Sequence, residues 1–307
     1  MRIVFIGTAR FACPSLEALA RRHDVSLVVT QPDRPAGRKR HLREPPVKAA
    51  ARKLELPVDQ PEKINARESI ERLRGVSPEA IVVAAYGQIL KERLFTIAPL
   101  GTINIHASLL PAYRGAAPIP WAIVRGEKVT GITTFRIDRG MDTGDILLRR
   151  AIEIEPEETA AELESRLANL AASAILETLD GVRSGTMTPS PQPDEGVSYA
   201  PMLKREDGRI DWTRPALEVH NLVRGLNPWP GAWTKLREER VKVHRSRRSG
   251  IRVGTITPGE IALGETGRLL VACGDEFLDL LEVQRQGRPS TSGAAFLHGI
   301  HGANRFV

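Results

Sequence analysis

The chain has 307 residues, enough for two domains, and its 41% apolar and 26% charged residues are the profile of a soluble globular protein. No stretch approaches the roughly 20 apolar residues of a membrane span, and the N-terminal run lacks the layout of a secretory signal, which excludes membrane and exported classes. Two distant cysteines, Cys13 and Cys273, give neither a disulfide framework nor a zinc site and point to the cytoplasm, while a net charge of +7 leaves room for a polyanionic partner.

In chain order, β-branched runs predict strands at Ile3–Ile6, Val25–Val29, Ala80–Ala84 and Ile103–Ile105. Between them, helical patterns run from Pro14 to Arg22, Pro46 to Leu54 and Ala66 to Arg74. Such alternation predicts an α/β fold with a doubly wound, mostly parallel sheet. Pro118 suits the first turn of a helix continuing through Ile123. A longer helix from Glu157 to about Leu179 spaces Leu163, Leu167, Leu170 and Ile175 for burial in a core.

The composition changes after Asp180, and residues 181–197 are rich in Gly, Ser, Thr and Pro. The expected division is a first domain over 1–189, a linker over 190–206 and a second, smaller domain over 207–307. A short helix near Pro215 to Arg224 precedes strand-like runs at Val241–His244, Ile251–Ile256, Leu269–Cys273 and Phe277–Leu281. Their glycine-containing turns predict a small antiparallel barrel or sandwich.

Several chemistries are missing. Gly7 ends the first strand, but the next glycine is Gly37, so the G-x-G-x-x-G loop of dinucleotide binding is absent. No Walker loop, H-E-x-x-H or G-x-S-x-G occurs, and nothing in the sequence asks for a metal. The informative run is Asn104-Ile-His106-Ala-Ser108-Leu109-Leu110-Pro111-Ala-Tyr113-Arg114-Gly115-Ala-Ala-Pro118. Asn104 and His106 are two apart on a strand and share one face, near the strand end where open α/β sheets place ligands. Together they could donate hydrogen bonds to an oxyanion. Downstream, Asp142 lies between Gly140 and Gly144, and a carboxylate beside an imidazole favours the charged ring and orients it. Taken singly, each of these residues reads as a strand cap or a turn.

The run N-x-H-x-S-L-L-P-x-Y-R-G-x-x-P, followed by M-D-T-G-D, resembles the signature of the 10-formyltetrahydrofolate-dependent formyltransferases. Phe5-Ile-Gly-Thr8, Thr30 to Arg38, Ala85 to Leu90, Ile210-Asp-Trp212 and Asn227 to Trp233 resemble those members that act on methionyl initiator tRNA. Ala9 departs from the family, which has proline there. The resemblance implies a Rossmann-like catalytic domain and an OB-like β-barrel that binds tRNA. It implies transfer of the formyl group of 10-formyltetrahydrofolate to the α-amino group of methionyl initiator tRNA; a monomer is the default expectation. By position, Asn104, His106 and Asp142 match the catalytic trio, and Ser108, Leu109, Leu110 and Pro111 match the tetrahydrofolate-binding segment. Tyr86, Gly87, Gln88, Ile89 and Leu90, with the loop from Asp138 to Met141, match the walls of the pterin pocket.

Charge supplies the acceptor argument. Arg34, Arg38, Lys39, Arg40 and Arg43 oppose only Asp33 in a loop after the second strand, where phosphates could meet them. Residues 201–307 hold 17 basic against 12 acidic residues, with Arg240, Lys242, His244, Arg245, Arg247, Arg248 and Arg252 concentrated together. Of these, Lys242, Arg245, Arg247 and Arg248 are the candidate tRNA contacts of the barrel. A sugar-nucleotide formyltransferase would share the trio; the Pro32-Asp-Arg-Pro-Ala-Gly-Arg38 run favours the tRNA reading.

Overall fold

The computed structural model describes residues 1–36, 41–263, 267–300 and 305–307. Packing divides the chain into two compact units, each discontinuous in sequence. Unit 1 takes residues 1–115, 130–152 and 164–200, and unit 2 takes 116–129, 153–163 and 201–307.

Unit 1 is built on β1 (Arg2–Gly7), α1 (Cys13–Arg22), β2 (Asp24–Val29), the short β3 (Arg34–Ala36) and β4 (His41–Arg43), α2 (Pro46–Lys53) and β5 (Val58–Asp59). It continues with α3 (Arg67–Val76), β6 (Ala80–Ala84), α4 (Glu92–Phe95) and β7 (Thr102–His106). Helix α5 (Pro118–Val124) falls in unit 2, after which come β8 (Val129–Arg136), β9 (Ile146–Glu153) and α6 (Ala160–Ser184). The strands lie in the order β5-β2-β1-β6-β7-β8-β9. The pairs among β5, β2, β1, β6 and β7 are parallel, and β7 pairs with β8 antiparallel. Ile3, Val4, Phe5 and Ile6 are all fully buried, as a strand covered on both faces requires. This is the doubly wound, mostly parallel sheet that strand–helix alternation predicts.

Strands β8 and β9 are absent from the sequence expectation. The helix expected from Glu157 starts at Ala160 and runs to Ser184. Its start is set by a reciprocal cap: Glu162 Oε2 accepts from the Thr159 N–H at 2.8 Å, and Thr159 Oγ1 accepts from the Glu162 N–H at 3.4 Å. The Thr159 N–H, together with the Thr159 hydroxyl that also donates to Oε2 at 2.7 Å, holds the Glu162 carboxyl below its ordinary range. No described helix is long and apolar enough to cross a membrane.

Unit 2 contains α7 (Ala216–Gly225), β10 (Ala232–Leu236), β11 (Glu239–Arg252), β12 (Ile261–Leu263), β13 (Leu269–Ala272), β14 (Glu276–Arg285), β15 (Ser290–Ser292) and α8 (Gly293–Leu297). The sheet is antiparallel in the order β10-β11-β14-β13-β12, with β15 on β14. Its two edges are drawn together by the last residues of the chain. Lys235 and Val307 exchange N–H···O bonds of 2.9 Å, while the Phe306 N–H donates to the Gly259 carbonyl at 2.8 Å. The antiparallel β domain expected is therefore present as a barrel-like sheet around Trp212, Phe296 and Phe306, whose rings stack at 5.9 and 6.2 Å. One expected element differs: Ile251 and Arg252 finish β11, and residues 253–257 turn instead of forming a strand of their own. Gly254, at φ +59°, takes a left-handed conformation that interrupts the ladder.

Candidate active site

Strand β7 delivers Asn104 and His106 on one face of the sheet in unit 1. Asn104 is partly exposed, and its carboxamide makes no hydrogen bond to a described residue. His106 is only 6% exposed and packs edge-on to Phe135, with ring centroids 6.5 Å apart. Its Nε2 donates to the Tyr113 carbonyl at 2.9 Å, because a carbonyl can only accept. That leaves Nδ1 turned toward Asp142, 3.7 Å from Oδ2, a separation longer than a hydrogen bond. Asp142 Oδ2 itself accepts from the Gly115 N–H at 2.8 Å. The structure thus brings the three sequence-selected residues onto neighbouring elements, with one imidazole nitrogen spent on the scaffold and the other facing a carboxylate.

The loops that hold this arrangement are strained. Six described non-glycine residues have positive φ, and three of them, Ala85 (+44°), Tyr113 (+62°) and Asp142 (+54°), lie in or beside the selected segments. Each such residue costs about 1–3 kcal/mol and persists only when its surroundings over-determine it. Those surroundings come from a segment that composition alone reads as a linker. Gln192 Nε2 donates to the Asp142 and Gly144 carbonyls at 2.8 and 2.9 Å, and its Oε1 accepts from Arg114 Nη2 at 2.7 Å. Ser198 Oγ accepts from the Tyr113 N–H at 2.9 Å, and its carbonyl accepts from Arg114 N–H at 2.8 Å.

Two glycines permit this packing. A Cβ on Gly115, at φ +118°, would stand 2.7 Å from the Ala200 carbonyl oxygen, and one on Gly144 would overlap the Arg136 carbonyl. Gly144→Ala is expected to destabilise the protein by about 1–3 kcal/mol. An unchanged denaturant midpoint would contradict that close approach.

The remaining selected residues divide by exposure. Ser108, Leu110 and Pro111 are buried, and Ser108 Oγ donates to the Ala112 carbonyl at 2.6 Å. Leu109 is partly exposed. The Tyr86 ring and Leu90 lie in the apolar core with Val4, Ile6, Ile64 and Leu73. Burial pushes the Tyr86 hydroxyl up to about 12, with the charge of Asp59 adding to the shift. Gly87 and Ile89 are exposed, Ile89 by 80%, on a loop pinned by Gln88, which accepts from Ile64 N–H, and by Asn65, which donates to the Ile89 carbonyl at 2.8 Å. Asp138 closes its own loop by accepting from the Gly140 N–H and the Thr143 hydroxyl, while Met141 is 62% exposed. Among the described residues, no group of three His, Cys, Asp or Glu is placed to hold a metal ion.

The basic positions also divide. Arg38, Lys39 and Arg40 lie outside the described residues. Arg34 and Arg43 are exposed and stand directly opposite each other on β3 and β4. Neither has a carboxylate partner among the described residues, because Asp33 is taken by Gln60 at 2.8 Å and Lys48 at 2.7 Å. Those bonds, Gln60 first, hold the Asp33 carboxyl below its ordinary range. In unit 2, Arg245 pairs with Glu162, Arg247 with Asp279 and Arg248 with Glu276. Lys242 has no such partner among the described residues.

Comparison with known proteins places this geometry in a class. A formyl transferase family model matches residues 1–179, and one for the formyl transferase C-terminal domain matches 202–301. Among solved structures, a sugar 3N-formyl transferase, WlaRD, in the presence of dTDP and 5-N-formyl-THF is similar at TM-score 0.69 and 18% identity, over 94% of this chain and 99% of that one. HypX from Aquifex aeolicus in complex with tetrahydrofolic acid gives TM-score 0.67 at 19% identity over 99% of this chain, which spans about half (48%) of that protein. These likenesses show the shared fold. The methionyl-tRNA formyltransferase of Solibacter usitatus is 51% identical over 300 residues, 97% of this chain and 96% of its own. That of Geobacter sulfurreducens is 49% identical over 302 residues, 98% and 94% of the two chains. The chain belongs to the methionyl-tRNA formyltransferase family.

Proposed function

We propose that this chain transfers the formyl group of 10-formyltetrahydrofolate to the α-amino group of methionine on initiator tRNA, for the start of translation. The observation that supports it most is the near-full-length identity of about half to methionyl-tRNA formyltransferases, set on a strand that presents Asn104 and His106 together. The sugar-nucleotide alternative rests on structures below 20% identity, a likeness of fold alone.

The neutral methionyl amine attacks the formyl carbon on N10 of the folate. A C–N bond forms and the carbonyl becomes a tetrahedral oxyanion. The Asn104 carboxamide, which makes no hydrogen bond to a described residue, donates to that oxygen. His106 contributes through Nδ1, since Nε2 is held by the Tyr113 carbonyl. Asp142, facing Nδ1, orients the ring and helps move the proton from the attacking nitrogen to N10 as the old C–N bond breaks. Backbone groups of 85–90 and 108–111, with the side chains of Leu109, Ile89 and Met141, bind the pterin; Tyr86, Gln88 and Leu90 shape that wall from within. The trio comes from a single chain, so a monomer suffices, and the two free thiols fit a reducing cytoplasm.

The acceptor's phosphates meet the hairpin of β3 and β4. Like charges directly across a strand pair repel, so Arg34 and Arg43 are best placed when an anion lies between them. Replacing both with alanine is expected to raise KM for charged tRNA and flatten the salt dependence of its binding by about two units of slope, leaving folate affinity unchanged. An unchanged slope would remove the hairpin from the interface. The reaction itself is tested by mass spectrometry of the aminoacyl product after mixing the enzyme with charged initiator tRNA and formyl donor. Formylation of an amino sugar nucleotide and not of methionyl-tRNA would overturn the proposal.

A further inference from the structure

Three of the arginines that make unit 2 basic are neutralised by Glu162, Asp279 and Glu276. Two cations of the same unit that have no carboxylate partner among the described residues, Lys242 and Arg240, lie beside an aromatic ring. Trp229 is 56% exposed, an unusual position for the largest apolar side chain. Pro228 and Pro230 flank it, and proline fixes φ on both sides. The turn is tied down further: Asn227 Nδ2 donates to the His244 carbonyl at 2.7 Å, and Gly231 N–H donates to the Leu226 carbonyl at 2.9 Å. Hence the indole is held out by a turn with little freedom to withdraw it.

Lys242 lies across that turn. A Cβ built on Gly231 would be 3.9 Å from Lys242 Nζ. Lys242 is also the cross-strand partner of Trp233, so both side chains leave the same face of the sheet. Over the Trp233 ring sits the Arg240 guanidinium, 3.9 Å from the ring centroid, while the Trp233 Nε1–H donates to the Arg205 carbonyl at 3.0 Å. Trp233, Lys242 and Arg240 thus gather on one face, and the turn that carries the exposed Trp229 adjoins it at Lys242, giving a strip of rings and cations.

We propose that this strip binds an unpaired stretch of the tRNA, a base stacking on Trp229 and the adjacent phosphate meeting Lys242, with Arg240 held ready by Trp233 for the next phosphate. The proposal rests on tRNA being the acceptor. Charge and rings together select nucleic acid: an apolar partner would gain nothing from Lys242 and Arg240, and a duplex offers no free base face to an indole. Stacking is tolerant of sequence, so the strip contributes affinity and not choice of base.

The test uses the full-length enzyme with Trp229→Ala, Trp229→Phe and Lys242→Ala variants, charged initiator tRNA and the formyl donor. Trp229→Ala is expected to raise KM for tRNA roughly tenfold with kcat, folate affinity and melting temperature unchanged. Trp229→Phe, which keeps a stacking face, should recover most of that loss. Lys242→Ala should lower the salt slope of tRNA binding by about one. Wild-type indole fluorescence should be quenched by tRNA, and the quenching should fall in Trp229→Phe. Trp229→Ala and Lys242→Ala variants that bind tRNA as the parent does would overturn this inference while leaving formylation of methionyl-tRNA standing. A parent enzyme that neither binds nor formylates the charged tRNA would overturn both.

Discussion

Asn104→Ala is expected to lower kcat a few hundredfold, about 3–4 kcal/mol of transition-state stabilisation, without unfolding the protein. Its carboxamide is partly exposed and makes no hydrogen bond to a described residue, so truncation leaves no buried group stranded and opens no core cavity. All of the loss should therefore fall on the reaction. Asn104→Asp is nearly isosteric but replaces the N–H donor by a negative oxygen, and it should be at least as impaired. Single-turnover rates at saturating donor and charged tRNA separate this step from binding. Turnover by Asn104→Ala within a few-fold of the parent would remove the amide from the oxyanion's surroundings.

Asp142 is the second residue whose replacement should be severe, and here the choice of variant decides what is learned. Alanine would strip the Gly115 N–H of its acceptor and leave a left-handed backbone with no polar side chain to support it. Asparagine tolerates positive φ and can still accept from Gly115, so Asp142→Asn removes the charge facing His106 Nδ1 while keeping the loop. The expected outcome is a fall in kcat of about 10²–10⁴-fold with an unchanged melting temperature and folate affinity. Near-parental turnover in a folded Asp142→Asn protein would mean that the carboxylate only builds the loop.

Hydrophobic runs revealed the parallel strands, because strands buried on both faces cannot hide their apolar content. Strand β8 was harder to see: Gly131 interrupts its run, and the Thr-rich sequence around it also suits a turn. In β9, Arg149 and Arg150 obscure the pattern, since a strand at the sheet edge can expose them. The same physics governs the site. Two-residue alternation on β7 places Asn104 and His106 on one face from sequence alone. Which way Tyr86 or Leu90 turns is set by Val4, Ile6 and Ile64, distant in sequence, and no local pattern announces it. Gln192 gave no signal at all, because a single amide in a Pro-rich run earns its place only through the carbonyls of residues 142 and 144.

The chain leaves one compact unit for the other at 115/116, 129/130, 152/153, 163/164 and 200/201. A protein engineer who joined the first 190 residues to another family member's barrel by one junction would carry 116–129 and 153–163 along with the wrong parent. Glu155 and Glu158 would then offer their carbonyls to a foreign counterpart of Arg224, which here takes both at 3.3 and 3.1 Å. The same junction would cut Gln192 and Ser198 away from the loops they brace. A graft that keeps both parents' contacts must move 116–129, 153–163 and 201–307 as one set and leave 164–200 behind.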